Sequence, residues 1–272
     1  MVRDPSADAE FDLDRIGGRK ALDDLVDAVL EAGEIAIDLY RSGAANRFER
    51  KPDRSPVTEA DRAVEEHLKA FCAKRFPEAG FFGEESGIEG DSSFRFIVDP
   101  IDGTRAFIRG IDIWSILIGL ELDEEPVLGI ALMPAARDLF VGAKGGGAYY
   151  NGRPIRLSKV DALEAALICH GNLSQFTAAS IGQALIRLAD GTYTQRGFSD
   201  FDGYRQLLLG RADAMVDPDI KAYDVCPAAV LVREAGGTFT GFGGEPSIHS
   251  GGAVASNGQG TLHEDLLALL RG

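Results

Sequence analysis

Apolar residues recur with a helical period in the first part of the chain. From Lys20 to Tyr40 they lie mostly three or four positions apart, which is the pattern of an amphipathic helix. The same reasoning predicts a second helix over residues 59–76, with Thr58 as its N-cap. Between the two helices, the segment 51–56 is rich in turn-forming residues and is predicted to be a loop.

The pattern changes after Pro77 to short runs of β-branched and aromatic residues, which are typical of strands. Asn151-Gly152 then favours a hairpin turn that requires positive φ. We expect the runs before this turn to be successive strands of one sheet. These runs cover residues 94–98, 113–121, 127–133 and 139–143.

Strands and helices alternate beyond about Ser158, which predicts an α/β half. Because the chain has no internal repeat and no low-complexity linker, we expect a loose tail over residues 1–18 and two halves, 19–157 and 158–272, that pack as layers. The predicted helices cover 178–189, 203–209, 225–235 and 261–270, and the predicted strands cover 166–169, 214–216, 238–240 and 253–255.

Composition and charge narrow the function classes. A formal charge of −15 argues against a nucleic-acid partner, because binding to the phosphate backbone relies on clustered Lys and Arg. The longest apolar run, about residues 113–122, is far shorter than the ~20 residues that cross a bilayer, so we expect no membrane role. Three scattered cysteines and an acidic N-terminus without an apolar targeting segment favour a cytoplasmic location.

Asp99-Pro-Ile-Asp102-Gly-Thr104 follows directly after a predicted strand. The carboxyl ends of strands hold ligands in α/β proteins, and carboxylates are the ligands that Mg²⁺ prefers. The free N–H groups at Gly103 and Thr104 could receive a phosphate. The alternative is a capped turn in which Asp99 and Asp102 only satisfy backbone donors.

Two further acidic positions are ambiguous when taken singly. Glu84 and Glu85 follow an apolar pair and are flanked by glycine and serine, and an acidic loop of this kind is often only solvated. Asp224 begins an apolar helix, where an N-cap role alone would explain it.

The combination of these motifs is specific. In order and approximate spacing, it resembles the inositol monophosphatase family of metal-dependent phosphatases, and the resemblance extends over nearly the whole chain. It implies a mixed α/β protein with a five-layered αβαβα sandwich of the inositol monophosphatase and fructose-1,6-bisphosphatase type, assembled as a homodimer. The matching segments are Ser55-Pro-Val-Thr-Glu-Ala-Asp61, Gly83-Glu-Glu85, Asp99-Pro-Ile-Asp-Gly-Thr104, Tyr223-Asp224 and Glu234-Ala-Gly-Gly237.

The resemblance also implies a ligand set for two to three Mg²⁺ ions per active site. Glu84, Asp99 and the backbone carbonyl of Ile101 would hold the first ion, and Asp99, Asp102 and Asp224 would hold the second. A third, weaker site would use Glu84 with waters positioned by Glu85. The first half of the chain would thus carry the metal site, and the second half would complete the metal and substrate sites.

The same resemblance assigns catalytic and phosphate-binding roles. Thr104, hydrogen-bonded to Asp61, would orient the attacking water in a metal-assisted hydrolysis of a small phosphomonoester. The alternative for Asp61 is ordinary electrostatics in the first turn of a helix. Lys51 would approach the third metal or the phosphate, or would remain a solvated loop lysine.

The predicted substrate is L-histidinol phosphate. Residues 196–204 and 210–217 look more like the histidinol-phosphate phosphatase branch than the inositol branch. Asp200 suits a substrate that carries an ammonium and an imidazole, although it could also cap the helix predicted from Gly203. The alternative is an inositol-1-phosphate phosphatase, or one acting on a related sugar or nucleotide. Tyr223, Asp202 and Pro227 depart from the family pattern and are expected to line the substrate opening.

Two rival functions have different signatures. A haloacid-dehalogenase-type phosphatase needs two aspartates two positions apart, whereas Asp99 and Asp102 are three apart. A non-catalytic regulatory protein on the same fold would not need the full set of carboxylates.

Overall fold

The computed structural model describes residues 13–43, 48–52, 55–90 and 93–272. Two long helices confirm the first sequence prediction: α1 (Gly18–Arg41) and α2 (Glu59–Arg75). Thr58 caps α2 as predicted, because its hydroxyl accepts the Asp61 N–H while the Asp61 carboxylate accepts the Thr58 N–H.

The predicted loose tail over residues 1–18 does not hold for its last part. Residues 1–12 lie outside the described residues. Leu13–Ile16, in contrast, form a 3-10 helix that leads into α1, and Leu13 and Ile16 are 1% and 3% exposed. These two apolar side chains are one helical turn apart, so both reach the core from the same face.

The strands of the first half form a hairpin and a large sheet. The hairpin pairs β1 (Phe48–Arg50) with β2 (Pro56–Thr58). The strands of the large sheet are β3 (Gly80–Gly83), β4 (Gly87–Glu89), β5 (Phe94–Asp102), β6 (Ser115–Leu122), β7 (Glu125–Met133), β8 (Asp138–Ala143), β9 (Gly147–Tyr150) and β10 (Arg153–Pro154). Their order is β10-β9-β8-β7-β6-β5-β3-β4, and among these neighbours only β3 and β5 are parallel. The four strands predicted before the hairpin turn are confirmed, and Asn151 and Gly152 adopt positive φ at the turn between β9 and β10.

The second half contributes a smaller sheet of order β12-β11-β13-β15-β14 and most of the remaining helices. The helix predicted over residues 178–189 is interrupted, because Ser180 adopts a φ of 60° between two shorter helices. The strands are β11 (Leu167–His170), β12 (Thr194–Arg196), β13 (Ala214–Pro218), β14 (Thr238–Thr240) and β15 (Gly252–Ser256). The helices from Thr104 onward are α3 (Thr104–Phe107), α4 (Leu173–Ala178), α5 (Gln183–Gly191), α6 (Asp200–Leu208), α7 (Ala222–Glu234) and α8 (Leu262–Arg271).

The two sheets alternate with helices to give the five-layered αβαβα sandwich that the sequence predicted. In β5, Phe96 and Val98 face α1 and α2, whereas Ile97 joins the core with α6 and α7. In β13, Met215 faces this same middle layer, and its neighbour Val216 packs with α5 and α8. The alternation of side chains along each strand therefore supplies both faces of each sheet. Helix α7 packs on both sheets, so the two halves share one middle layer. The division of the chain at residue 157 stays a prediction.

A pair of glycines lets α7 lie unusually close to the large sheet. Gly119 in β6 and Gly129 in β7 are directly paired. A Cβ atom on Gly119 would lie 2.2 Å from the Cys226 Sγ, and one on Gly129 would lie 2.7 Å from the Pro227 Cα. Pro227 was expected at the substrate opening, but it is buried. The glycine pair leaves room for this part of α7 to pack directly on the sheet.

We predict that Gly129→Ala will destabilise the protein by about 1–3 kcal/mol, because the added methyl meets the backbone of α7. Gly142→Ala is the matched control, since its Cβ would lie 3.1 Å from the flexible end of Leu231 and no closer than 3.5 Å to any backbone atom among its nearest neighbours. Urea unfolding of both variants measures the difference. Equal stability of the two variants would contradict the role of Gly129.

Candidate active site

Asp99 and Asp102 lie on a bulge at the end of β5. In a regular strand, residues three apart point to opposite faces. Asp99 pairs with Leu117 and Asp102 pairs with Ser115, so three steps along β5 match two steps along β6. The extra residue reverses the alternation and lets both carboxylates join one cluster. The strand predicted over residues 94–98 is longer in the structure, because β5 continues through both acids.

Two other elements bring acids to the same place. Glu84 and Glu85 follow β3, the parallel neighbour of β5, and the Glu84 N–H donates to the Val98 carbonyl at 3.1 Å. Asp224 is the third residue of α7, and its Oδ2 accepts the Lys221 N–H at 2.6 Å. Asp224 therefore caps its own helix and faces the cluster at the same time.

The acids form two groups, and within each group one oxygen from every residue lies within 4.8 Å of the others. All six acids were predicted as site residues from the sequence, and the structure brings them together. The inner group consists of Asp99, Asp102 and Asp224, and the outer group consists of Asp61, Glu84 and Glu85.

The inner group concentrates negative charge in a poorly solvated place. Asp99 and Asp102 are 2% and 5% exposed. Burial, followed by the charge of Glu84, raises the pKa of Asp99 well above its usual range, and burial and the charge of Asp200 do the same to the pKa of Asp102. Burial raises the pKa of Asp224 to about 7. In the described part of the chain, no Lys or Arg forms an ion pair with these three carboxylates.

The inner group has the chemistry of a metal site. Its donors are all oxygens, which hard divalent cations prefer, and burial without a positive partner is otherwise costly for carboxylates. Ile101 is among the residues that line the same cleft, and its carbonyl accepts the Thr104 hydroxyl at 3.0 Å. A carbonyl oxygen has a second lone pair, so Ile101 keeps one available for a cation.

Asp61 and Thr104 are connected as the sequence predicted. The Thr104 hydroxyl lies 3.3 Å from the Asp61 Oδ1, while the Asp61 Oδ2 accepts the Thr58 N–H and hydroxyl at 2.7 and 2.5 Å. Asp61 is fully buried, and this burial raises its pKa to about 7. The helix-capping role considered from the sequence and the contact with Thr104 thus use different oxygens of one carboxylate.

A cleft of about 350 Å³ opens over the inner group. Gly103 and Thr104 line it at the start of α3, where Gly103 has a φ of 82°. The first N–H groups of a helix have no partner within it, so they are available to a ligand. Lys51 is not among the described lining residues, because its ammonium lies 2.9 Å from a Glu84 oxygen and 2.5 Å from a Glu85 oxygen.

Asp200 lies in the wall of this cleft and adopts the left-handed φ of 57°. Asp200 is the first residue of α6, and Ser199 at the N-cap position makes no side-chain capping hydrogen bond, so the capping role considered for Asp200 is not observed. The Ser199 hydroxyl donates to Asp200 at 3.0 Å, and the Phe201 N–H donates to Asp102 at 2.8 Å. Burial raises the pKa of Asp200, and Ser199 and the charge of Arg105 oppose that rise.

Sequence reasoning missed two buried acids near the site. Glu65 accepts the N–H groups of Glu85 and Ser86 at 2.8 and 2.7 Å, and its carboxylate packs against Gly83, where a Cβ would lie 2.5 Å from it. Its position four residues after Asp61, on the same face of α2, was the available signal. Asp217 is the next-to-last residue of β13, and burial and the charge of Asp224 raise its pKa well above its usual range.

Two residues expected at the substrate opening are absent from the described lining of the cleft. Asp202 is 3% exposed and pairs with the Arg205 guanidinium at 3.1 Å while accepting the Gln206 amide at 3.0 Å. Tyr223 packs edge-on against Phe82, with ring centroids 5.6 Å apart. Neither is among the described residues that line the cleft. Burial and the charges of Asp224 and Glu84 raise the pKa of Tyr223, so its hydroxyl lies close to the carboxylates.

Comparison with known proteins identifies the family. A model of the inositol monophosphatase family matches residues 20–272. The chain belongs to this family. The histidinol-phosphatase of Mycobacterium tuberculosis is 36% identical over 258 residues, which cover 92% of this chain and 95% of that protein. An inositol-1-monophosphatase of Mesorhizobium japonicum is 32% identical over 209 residues, covering 74% and 78%.

A solved structure supports the same assignment. An IMPase from Thermotoga maritima has a TM-score of 0.82 and 28% identity, covering 93% of this chain and 97% of that chain. The predicted membership of the inositol monophosphatase family and the predicted fold are thereby confirmed. As a member of this family, the chain is a phosphatase that hydrolyses phosphoric monoesters.

We predict that the metal-free protein will lose stability as the pH rises from about 4 to 7. The unfolded chain ionises Asp61 and Asp224 near 3.8, whereas the folded chain keeps them protonated up to about 7. The folded state therefore binds more protons in this window, and the free energy of unfolding falls as pH rises. Urea unfolding at pH 5 and 7.5 measures the change.

A divalent cation should reverse this trend at pH 7.5, by about 2.7 kcal/mol at 100 times its Kd. At pH 5 the same cation should stabilise less, because protons compete for the carboxylates. A chelated sample that is no less stable at pH 7.5 than at pH 5 would contradict the prediction.

We predict that Glu65→Gln will weaken metal binding by about 10- to 100-fold, as removal of a supporting hydrogen-bond partner commonly does. The amide oxygen of glutamine could still accept one of the N–H groups of Glu85 and Ser86, but its NH2 group would face the other donor. Glu66→Gln is the control, since Glu66 is exposed on the same helix. Calorimetric titration with Mn²⁺ compares the affinities, and an unchanged affinity in Glu65→Gln would refute the supporting role.

Proposed function

We propose that the chain is a Mg²⁺-dependent phosphatase that hydrolyses L-histidinol phosphate to histidinol and phosphate. The residues proposed to hold the metal are Glu84, Asp99, the Ile101 carbonyl, Asp102 and Asp224. When bound, Mg²⁺ supplies Lewis acids that activate a water and neutralise charge on the leaving oxygen. Two observations support this assignment: the proposed ligand atoms are all oxygens, and the four carboxylates belong to the inner and outer groups.

Thr104 and Asp61 are proposed to handle the proton of the attacking water. The Thr104 hydroxyl has two acceptors in reach, the Ile101 carbonyl and Asp61. When it donates to either one, its lone pairs can accept a hydrogen bond from water. The Thr58 donors hold the Asp61 carboxylate in position, and Asp61 then receives the proton through Thr104.

The remaining predicted roles concern the phosphate and its surroundings. The N–H groups of Gly103 and Thr104 are proposed to bind the phosphate, supported by their place in the cleft wall. Glu85 is proposed to act on water near Glu84, to which it is adjacent in the outer group. Lys51 was predicted to contact the phosphate or the third metal, and its ion pairs with Glu84 and Glu85 favour a role beside the metal ligands.

Asp200 is the residue proposed to select the substrate. Its carboxylate lies in the cleft with the inner group, and no ion pair with a Lys or Arg satisfies it among the described residues. A cationic ammonium or imidazole on the leaving group would pair with it, whereas a neutral polyol would gain less. Relatives named histidinol-phosphatase, including one of Streptomyces coelicolor at 35% identity over 234 residues, support the same substrate.

Inositol 1-phosphate is the second candidate. The cleft also contains the polar, uncharged side chains of Asn172 and Ser199, which could hydrogen-bond to ring hydroxyls. Relatives named inositol-1-monophosphatase, such as that of Rhizobium meliloti at 31% identity over 241 residues, favour this reading.

Two further proposals concern the setting of the enzyme. A homodimer in the cytoplasm remains our prediction from the family resemblance and from the cysteine content. None of the helices in the described residues combines the length and the apolar character needed to cross a membrane.

We predict that Asp200→Asn will lower kcat/KM for histidinol phosphate by about 10- to 100-fold, the cost of losing a hydrogen bond to a charged group. The loss for inositol 1-phosphate should be much smaller, so the ratio between the two substrates isolates recognition from damage to the metal site. Asp190→Asn, on the exposed side of α5, is the control. Phosphate release with Mg²⁺ is the measurement, and a wild-type rate on histidinol phosphate no better than on inositol 1-phosphate would exclude the proposed substrate.

A further inference from the structure

The two carboxylate groups differ in how their charge is compensated. In the inner group, Asp99 accepts the Ile101 N–H at 3.1 Å and lies within hydrogen-bond reach of the Asp224 carboxyl. Asp102 and Asp224 accept neutral hydroxyl and N–H donors on one oxygen each. The inner carboxylates therefore lack a positive partner within the described chain, and cations must come from outside.

The outer group is already occupied by donors of the protein. Both oxygens of Asp61 accept hydrogen bonds, from Thr58 and from Thr104. The oxygens that remain belong to Glu84 and Glu85, and both residues contact the ammonium of Lys51 at 2.9 and 2.5 Å. A cation of the chain thus lies where the third metal was expected.

The placement of Lys51 is supported by the backbone around it. Lys51 follows β1, and its N–H donates to the Ser55 carbonyl at 2.9 Å, which closes the base of the β1–β2 connection. Its side chain is 20% exposed. A lysine ammonium is charged at neutral pH, and the two carboxylates that contact it favour the charged form.

We infer that Lys51 replaces the third metal ion, so that this chain binds two divalent cations rather than three. The inference rests on the proposed metal-dependent function. A divalent cation on the same oxygens of Glu84 and Glu85 would have to displace the ammonium, because two cations at such short distances repel each other strongly. The contact uses Oε1 of Glu84, which leaves its other oxygen for the inner ions.

The role of Lys51 is therefore a positioning role. Its ammonium holds Glu84 and Glu85 together before any metal arrives, against the repulsion of the two carboxylates. Glu65 holds the backbone of the same turn from the other side. A fixed charge of the chain in this place also makes the outer group independent of the external cation concentration.

The test counts bound Mn²⁺ per chain, using the electron paramagnetic resonance signal of free Mn²⁺ in titrations of the full chain. We expect two ions in the wild type and three in Lys51→Met. Lys69→Met is the matched control, since Lys69 pairs with Glu89 on the surface, and it should bind two. Lys51→Gln provides a second neutral variant if Lys51→Met folds poorly, as judged by circular dichroism.

Three bound ions in the wild type would overturn the inference, whatever the variants do. A folded Lys51 variant that still binds only two ions would overturn it as well. Failure of the proposed function gives a different result, namely no stoichiometric Mn²⁺ binding in any variant and no phosphate release that depends on a divalent cation.

Discussion

Mutual repulsion among crowded carboxylates is the constraint on which the rest of the site depends. Asp99 and Asp102 are almost completely buried, and their nearest charged neighbours are other acids. Such an arrangement is unfavourable in the metal-free protein, because burial of each carboxylate raises the free energy of its ionised form. The fold must supply enough packing elsewhere to hold these groups in place until cations bind. The three acids of the inner group accordingly belong to a strand and a helix, and Glu84 and Glu85 lie in a turn directly after β3.

Three local devices position the acids against this repulsion. The bulge in β5 places Asp99 and Asp102 on the same side of the strand. The capping box of α2 uses Asp61 both to begin the helix and to contact Thr104. The start of α7 presents Asp224 while its carboxylate caps the helix. In each case the backbone hydrogen bonds that form the strand or begin the helix also fix the position of the functional side chain.

The helices and strands of the first half were predictable because they leave local signals, whereas the layers and the roles of the acids followed only from the resemblance of the combined motifs to the family. The helical period of α1, the capping pattern at Thr58 and the strand runs of the large sheet are properties of neighbouring residues. The missed features depend on partners distant in the chain. The bulge at Asp99 exists only in relation to β6, and Glu65 supports a turn that lies 20 residues later. The burial of Leu13 likewise depends on contacts with the core around α1. The acidic sequence of the N-terminal segment gives no local sign of these contacts.

The glycine pair beneath α7 has a consequence for how this protein can vary. Gly119 and Gly129 set the distance between the helix that carries Asp224 and the sheet that carries Asp99. The lack of a side chain at these two positions thus sets the spacing between the helix and the sheet. Substitution at either position can only add volume, so variation there moves the acids apart and never closer. Two residues that touch neither the acids nor the cleft therefore limit how the catalytic centre can change over evolutionary time.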